Sequence, residues 1–153
     1  MASIRRMETG NIRDAMELRR EMLAEVNGVS QTEISHGLLS LTERFFSEGN
    51  QFTVLAYDGI TCIGCATMCF MHLMPTYSHP TGKRAHIMNV YVREAYRRQG
   101  IAKEMVNALL LYARQNEITH VSLDATESGR KLYEALGFTG SEEAMEINLT
   151  KIV

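Results

Sequence analysis

The chain has 153 residues, 45% of them hydrophobic, enough to close one core without disulfide support. Its 16 basic and 18 acidic residues leave a formal net charge of −2, which argues against an overall electrostatic pull toward nucleic acid or anionic lipid, so neither is expected as a partner. No window approaches the ~20 apolar residues of a membrane-spanning helix, and the N-terminus lacks the apolar stretch of a signal peptide.

Ser3 to Met7 predicts a short first strand. Thr9 stands where it can cap a helix whose apolar residues Ile12, Ala15, Met16, Leu18, Met22 and Leu23 recur close to the helical period. A second helix is expected from about Thr32 to Ser47, with Ile34, Leu38, Leu41 and Phe45 on one side. Phe52 to Tyr57 reads as a strand, Asp58-Gly59 as a tight hairpin turn, and Ile60 to about Met71 as the return strand, apolar on both faces. Both prolines, Pro75 and Pro80, fall in an ordered excursion from Met74 to Gly82 that contains His79 and follows His72. Another strand is expected over about Arg84 to Arg93. The longest helix follows, from about Gly100 to Asn116, striped by Ile101, Met105, Val106, Leu109, Leu110 and Ala113. Val121 to Asp124 predicts a short strand and Ser128 to Leu136 a helix, with Gly137 as the left-handed residue after its end. Met145, Ile147 and Leu149 alternate with polar residues and predict a final strand.

That order, β-α-α-β-β-β-α-β-α-β, defines an α/β fold. One domain over residues 1–153 is expected, with a mixed central sheet of about six to seven strands and helices on both faces. Cys62, Cys65 and Cys69 are an odd number in a chain with no export signal, so free thiols and a cytoplasmic location are expected. Cys62-x-x-Cys65 is half of a zinc pattern with no second pair at ligand spacing, and no metal is expected.

The chemistry concentrates between Asn89 and Lys103, where a strand ends, a basic loop turns and the long helix begins. Gly100 and Ala102 are small and let a ligand approach the backbone. The first amides of a helix have no internal partner, and the positive end of the helix dipole adds to them. Together they form an anion site suited to a pyrophosphate, with Arg97, Arg98 and Lys103 supplying full charges.

Arg97-x-x-Gly100-x-Ala102 resembles the [Arg/Gln]-x-x-Gly-x-[Gly/Ala] signature of the GNAT superfamily of acyl-CoA-dependent N-acetyltransferases. Val90-Tyr91-Val92 before it, and the aromatic helix ending Tyr133-Glu134-Ala135-Leu136-Gly137-Phe138 after it, are similar to that superfamily's other landmarks. The likeness extends over nearly the whole order of elements and implies a single GNAT-like domain with acetyl-CoA as co-substrate. It implies that free backbone groups of the strand end Val90-Tyr91-Val92, above all those of Val90 and Val92, hold the pantetheine arm. The backbone amides of Arg98, Gln99, Gly100, Ile101, Ala102 and Lys103 would hold the pyrophosphate. Thr126 and Gly129 stand where the family often has asparagine and alanine, so Ser128 or Thr126 supplies the polar contact to the arm. Tyr133 matches the tyrosine that faces the thioester sulfur.

An amine attacking a thioester must be neutral, the oxyanion needs donors, and the departing thiolate benefits from a proton. Tyr133 is the candidate acid, because a phenol is protonated at neutral pH. A backbone amide near Val90 or Val92 is the candidate oxyanion donor. His86 is the candidate base, on a strand whose alternation puts His86, Met88, Val90 and Val92 on one face; water or Glu33 are the alternatives. The expected function is transfer of acetyl to a primary amine on a small molecule or peptide. The competing reading is a module that binds acyl-CoA without chemistry. A homodimer is common in the superfamily, and the final strand is suited to pair across one.

Overall fold

The computed structural model describes residues 2–151, without the side chain of residue 151. Strand β1 (Ser3–Arg6) is followed by a 3-10 turn, Thr9–Asn11, and then by helix α1 (Ile12–Asn27). Thr9 does not cap that helix. The chain turns instead through a reciprocal pair in which the Glu8 amide donates to Asn11 Oδ1 at 2.6 Å. α1 ends at Gly28, whose φ of 64° lets its amide reach back to the carbonyls of Ala24 and Glu25.

The expected helix from Thr32 to Ser47 is split. A 3-10 turn, Gln31–Glu33, runs into Ile34, which is extended at ψ 131° and 8% exposed. The Ser35 hydroxyl then caps a fresh helix, α2 (His36–Glu48), by accepting from the Leu38 amide at 3.3 Å. The restart turns the apolar stripe of α2 away from the core. Phe46 is its one buried residue, and Leu38 and Leu41 are 43% and 66% exposed.

Strands β2 (Gln51–Asp58) and β3 (Thr61–His72) form the expected hairpin, turning through Gly59 at φ 61°. Then come β4 (Lys83–Val92), α3 (Ile101–Gln115), β5 (His120–Leu123) and α4 (Arg130–Ala135). Gly137 has the expected left-handed backbone, at φ 99°. One five-stranded sheet has the order β1-β2-β3-β4-β5; all neighbours are antiparallel except β4 and β5, which are parallel. α3 lays Ile101, Met105, Val106 and Leu109 on one face, against Val54, Ile63, Ala66 and Ile87. α1 covers the other face, where Ala15 and Leu18 meet Leu55, Cys62 and Cys65.

The expected final strand does not form. Residues 139–148 carry no regular structure and end in a 3-10 turn, Leu149–Lys151. Met145, Ile147 and Leu149 are 96%, 72% and 72% exposed. Their alternation is a strand pattern, but a strand exists only where a sheet edge receives it. The sheet therefore has five strands where about six to seven were expected.

The excursion between β3 and β4 is pinned at its base. Gly82 takes φ 69°, and a Cβ there would lie 2.2 Å from the Leu73 carbonyl oxygen. Only glycine fits this crossing. His79 Nδ1 lies 2.9 Å from Thr119 Oγ1, and its ring meets His120 edge-on at 5.2 Å.

Candidate active site

β4 and β5 pair only from Arg84↔His120 to Ile87↔Leu123. β5 ends at Leu123, opposite Ile87, so Val90, Tyr91 and Val92 have no β5 neighbour. This unpaired end of β4 carries a kink. Asn89 is 5% exposed and has φ 61°, a left-handed backbone that asparagine tolerates better than most residues. Opposite it the β3–β4 register slips, from Cys65↔Tyr91 to Thr67↔Met88. The extra residue is a β-bulge, and it reverses which face later side chains take.

That reversal corrects the expected alternation of His86, Met88, Val90 and Val92 on one face. Ala85 and Ile87 before the bulge, and Val90 and Val92 after it, all pack with the α3 cluster. Met88 borders a cavity on the α1–α2 side, and Tyr91 packs with the α1 cluster. His86 is thus on the opposite face from Val90. Its Nδ1 lies 2.8 Å from Ser122 Oγ and its Nε2 3.6 Å from Asp124 Oδ2, so β5 and the residue after it fix the ring.

The kink is held by a buried polar chain. Asn89 Nδ2 donates to Thr67 Oγ1 at 3.3 Å. The Thr67 and Thr53 hydroxyls lie 2.9 Å apart, Thr53 donates to Gln51 Oε1 at 2.6 Å, and Gln51 donates to the Phe46 carbonyl at 3.0 Å. Because the Thr53 proton goes to Gln51, the Thr67 proton must go to Thr53. Every donor then points away from β4, and the Asn89 amide oxygen faces Arg19 of α1, which donates to it at 3.2 Å.

β4 leads through Arg93 and a 3-10 turn, Glu94–Tyr96, into the basic loop. Arg93 pairs with Glu21 at 2.7 Å and with Glu17 at 3.2 Å, both on α1. Arg97 donates from Nε to the Val92 carbonyl at 2.7 Å and from Nη2 to both oxygens of Glu25. Its guanidinium also lies over the Tyr91 ring at 5.5 Å. The side chain thereby ties the loop to α1. Arg98 and Gly100 both take left-handed backbone, at φ 64° and 79°. The first backbone bond of α3 runs from the Glu104 amide to the Gly100 carbonyl at 3.0 Å, so the amides of Ile101, Ala102 and Lys103 precede it and stay free within the helix. A Cβ on Gly100 would have no atom within 4 Å, so this end of α3 is open. The Ile101 side chain is buried in the core, leaving only its amide for a ligand.

On the other side of the gap, Thr126 Oγ1 accepts from the Gly129 amide at 3.2 Å and lies 3.2 Å from Ser128 Oγ. The Tyr133 ring meets Phe138 edge-on at 5.8 Å. Burial raises the pKa of its phenol, and among the described residues its hydroxyl has no hydrogen-bond partner. Glu33 lies in the 3-10 turn ahead of α2, bonded to Ser30. All three cysteines are free; burial pushes the thiols of Cys62 and Cys65 up to about 11 and about 12. Among the described residues no group of three or more His, Cys, Asp or Glu is placed to hold a metal.

The sequence reading missed Arg19, Asn89 and Asp124. Two of them carried a signal. Asn89 interrupts a β-rich run with a poor strand former. Arg19 falls on the buried stripe of α1, four residues after Ala15, where a cation needs a partner or a cavity. A larger cavity, of about 500 Å³ and bordered by Phe70, Arg84 and Tyr112, opens at the Lys83 end of β4, away from the kink.

A β4 end without a parallel partner, followed by a basic loop and an open helix N-terminus, suits an anionic, extended ligand, and the comparisons name the class. The Acetyltransferase (GNAT) family matches residues 15–138, and the chain belongs to that family. A structure of a predicted acetyltransferase with acetyl-CoA from Clostridium acetobutylicum is 26% identical, with 99% of each chain covered and a TM-score of 0.86. A glucosamine-6-phosphate N-acetyltransferase from Arabidopsis thaliana shares the fold, at 18% identity and a TM-score of 0.71, covering 97% of this chain and 99% of that one. Among curated proteins, glucosamine 6-phosphate N-acetyltransferase of Trypanosoma brucei brucei is 30% identical over 77 residues. That match spans about half of each, 50% of this chain and 52% of the relative.

Proposed function

We propose that the whole chain, residues 1–153, acts as one N-acetyltransferase that moves acetyl from acetyl-CoA to a primary amine by direct attack. The observation that carries the reading is the end of β4 beyond Ile87, which has no β5 partner and leads toward the open N-terminus of α3. Acetyl-CoA supplies the activated acyl group and a thiolate leaving group. The residues present fit it. Val90 and Val92 offer strand amides and carbonyls with no β5 partner, Tyr91 sets their spacing, and Arg98, Gln99, Gly100, Ile101, Ala102 and Lys103 form the amide turn for the pyrophosphate. Ser128, beside Thr126, is placed for the arm of the cofactor.

Tyr133 donates a proton to the leaving sulfur. Its raised pKa keeps the phenol protonated through neutral pH, and its free hydroxyl leaves the proton to give. His86 takes the proton from the amine, directly or through water, oriented by Ser122 and Asp124. Its ring takes the α1–α2 face of the sheet, the same face as Met88, and the acceptor approaches from there. Water or Glu33 is the alternative base.

The acceptor is a small molecule or peptide amine. Three free cysteines suit a reducing cytoplasm. Two copies pair through the exposed tail: the outer edge of β5 has no strand partner among the described residues, and Met145, Ile147 and Leu149 carry a strand pattern without an edge. Release of CoA with a panel of amines tests the enzyme reading. Tight binding of acetyl-CoA with no turnover on any amine favours the module that binds without chemistry.

A further inference from the structure

The stripe of α2 that misses the core borders a cavity of about 330 Å³. Leu41 and Phe45 wall it on the helix side, and Thr67, Cys69 and Met88 on the sheet side. The only charged residue on the lining is Arg19 of α1. Cys69 pairs with His86 across β3–β4, so the cavity adjoins the candidate base and the kink at Asn89.

Arg19 is aimed there by its surroundings. The polar chain from Asn89 to the Phe46 carbonyl is satisfied at each link and presents one oxygen to the guanidinium. Nη1 uses that oxygen and touches Met22 Sδ at 3.8 Å. The donors on Nε and Nη2 have no partner among the described residues, and neither nitrogen is sealed from solvent. Nor does Arg19 join an ion pair among those residues, whereas Arg93 and Arg97 are both paired with glutamates of α1. Burial lowers its pKa, because desolvation penalises the charged form.

We propose that this cavity receives the acceptor and that Arg19 reads an anionic oxygen group on it, so the acceptor is a small amine whose apolar body carries a carboxylate or a phosphate. The inference rests on the acetyl-transfer reading above and narrows its substrate class. A guanidinium with a free fork matches either anion bidentately, and the Leu41, Phe45 and Met88 walls favour an apolar body over a polyol. A cavity of this size suits a ligand of amino-acid dimensions.

The test uses pairs of primary amines that differ in one charged group, with rates referred to the neutral amine: methionine and phenylalanine against their carboxamides, and glucosamine 6-phosphate against glucosamine. Acetyl-CoA affinity is measured first by calorimetry, which separates failure of the cofactor reading from failure of this one. The expected result is a kcat/KM about ten- to a hundredfold higher for the anionic member of at least one pair. Arg19→Gln removes that ratio, Arg19→Lys keeps part of it, and both bind acetyl-CoA as the parent does. Preference within the amino-acid pairs assigns the anion as a carboxylate on an apolar body, whereas preference for the sugar phosphate alone would overturn the apolar body. A merely structural role for Arg19 would lower both members of a pair equally. Equal turnover within every pair, an unchanged ratio in Arg19→Gln, or no turnover of any anionic amine by protein that binds acetyl-CoA would overturn the proposal.

Discussion

Single residues carry the proton steps. Tyr133→Phe removes one hydroxyl and no packing, so kcat should fall about a hundredfold with acetyl-CoA affinity nearly unchanged. An unchanged rate would end the acid role. The pH sign follows from burial. A phenol with a raised pKa keeps its proton below the ordinary value of about 10 and loses it only above that value. The kcat profile should therefore show no alkaline limb from Tyr133 below about pH 10; a limb under pH 9 that vanishes in Tyr133→Phe would contradict the assignment. His86→Ala tests the base differently. Its deficit should be large near neutral pH and shrink toward the pKa of the amine, where the acceptor is neutral unaided. A deficit constant across pH would mean that His86 only positions. Tyr133 was singled out by a helix that resembles the family's, and His86 by its place on the strand that leads into the basic loop. The face that His86 takes was not legible. Strict alternation assumes an unbroken strand, and the extra residue at Asn89 breaks it.

Elements were legible where their periodic stripe and their packing agree. α3 runs within one residue of the expected ends at both termini, because Ile101, Met105, Val106, Leu109 and Ala113 all meet the sheet. α2 is the counterexample. Its apolar residues predicted a buried helix, but Ser35 restarts the turn, and the stripe borders a cavity that no other part of the described chain fills. Function and pattern diverge there, since an apolar wall looks the same in sequence whether it meets a core or a ligand. The excursion between β3 and β4 depends on Gly82. Gly82→Ala puts a Cβ against the Leu73 carbonyl and strains a left-handed backbone, so stability should drop by about 1–3 kcal/mol in denaturant unfolding. A loss under about 0.5 kcal/mol would show that the crossing relaxes freely.

For the whole molecule, the proposed pairing of two copies through the tail and the β5 edge is open to a direct test. The strand pattern at Met145, Ile147 and Leu149 was readable; whether an edge receives it was not, because pairing partners are not encoded locally. Sedimentation should show a dimer that Ile147→Glu dissociates, and a monomeric parent would contradict the pairing. The fold as a whole was legible because local order and one glycine motif coincide. The proposed place of the cofactor rests on the open N-terminus of α3 and on the end of β4 that β5 leaves unpaired. The most direct test of that claim is calorimetric titration of the parent and of Gly100→Glu with acetyl-CoA and free CoA. Saturable binding by the parent that disappears when a carboxylate and a strained left-handed side chain occupy residue 100 is the predicted result. No binding by the parent, or equal binding by both proteins, would contradict the placement of the cofactor at this helix end.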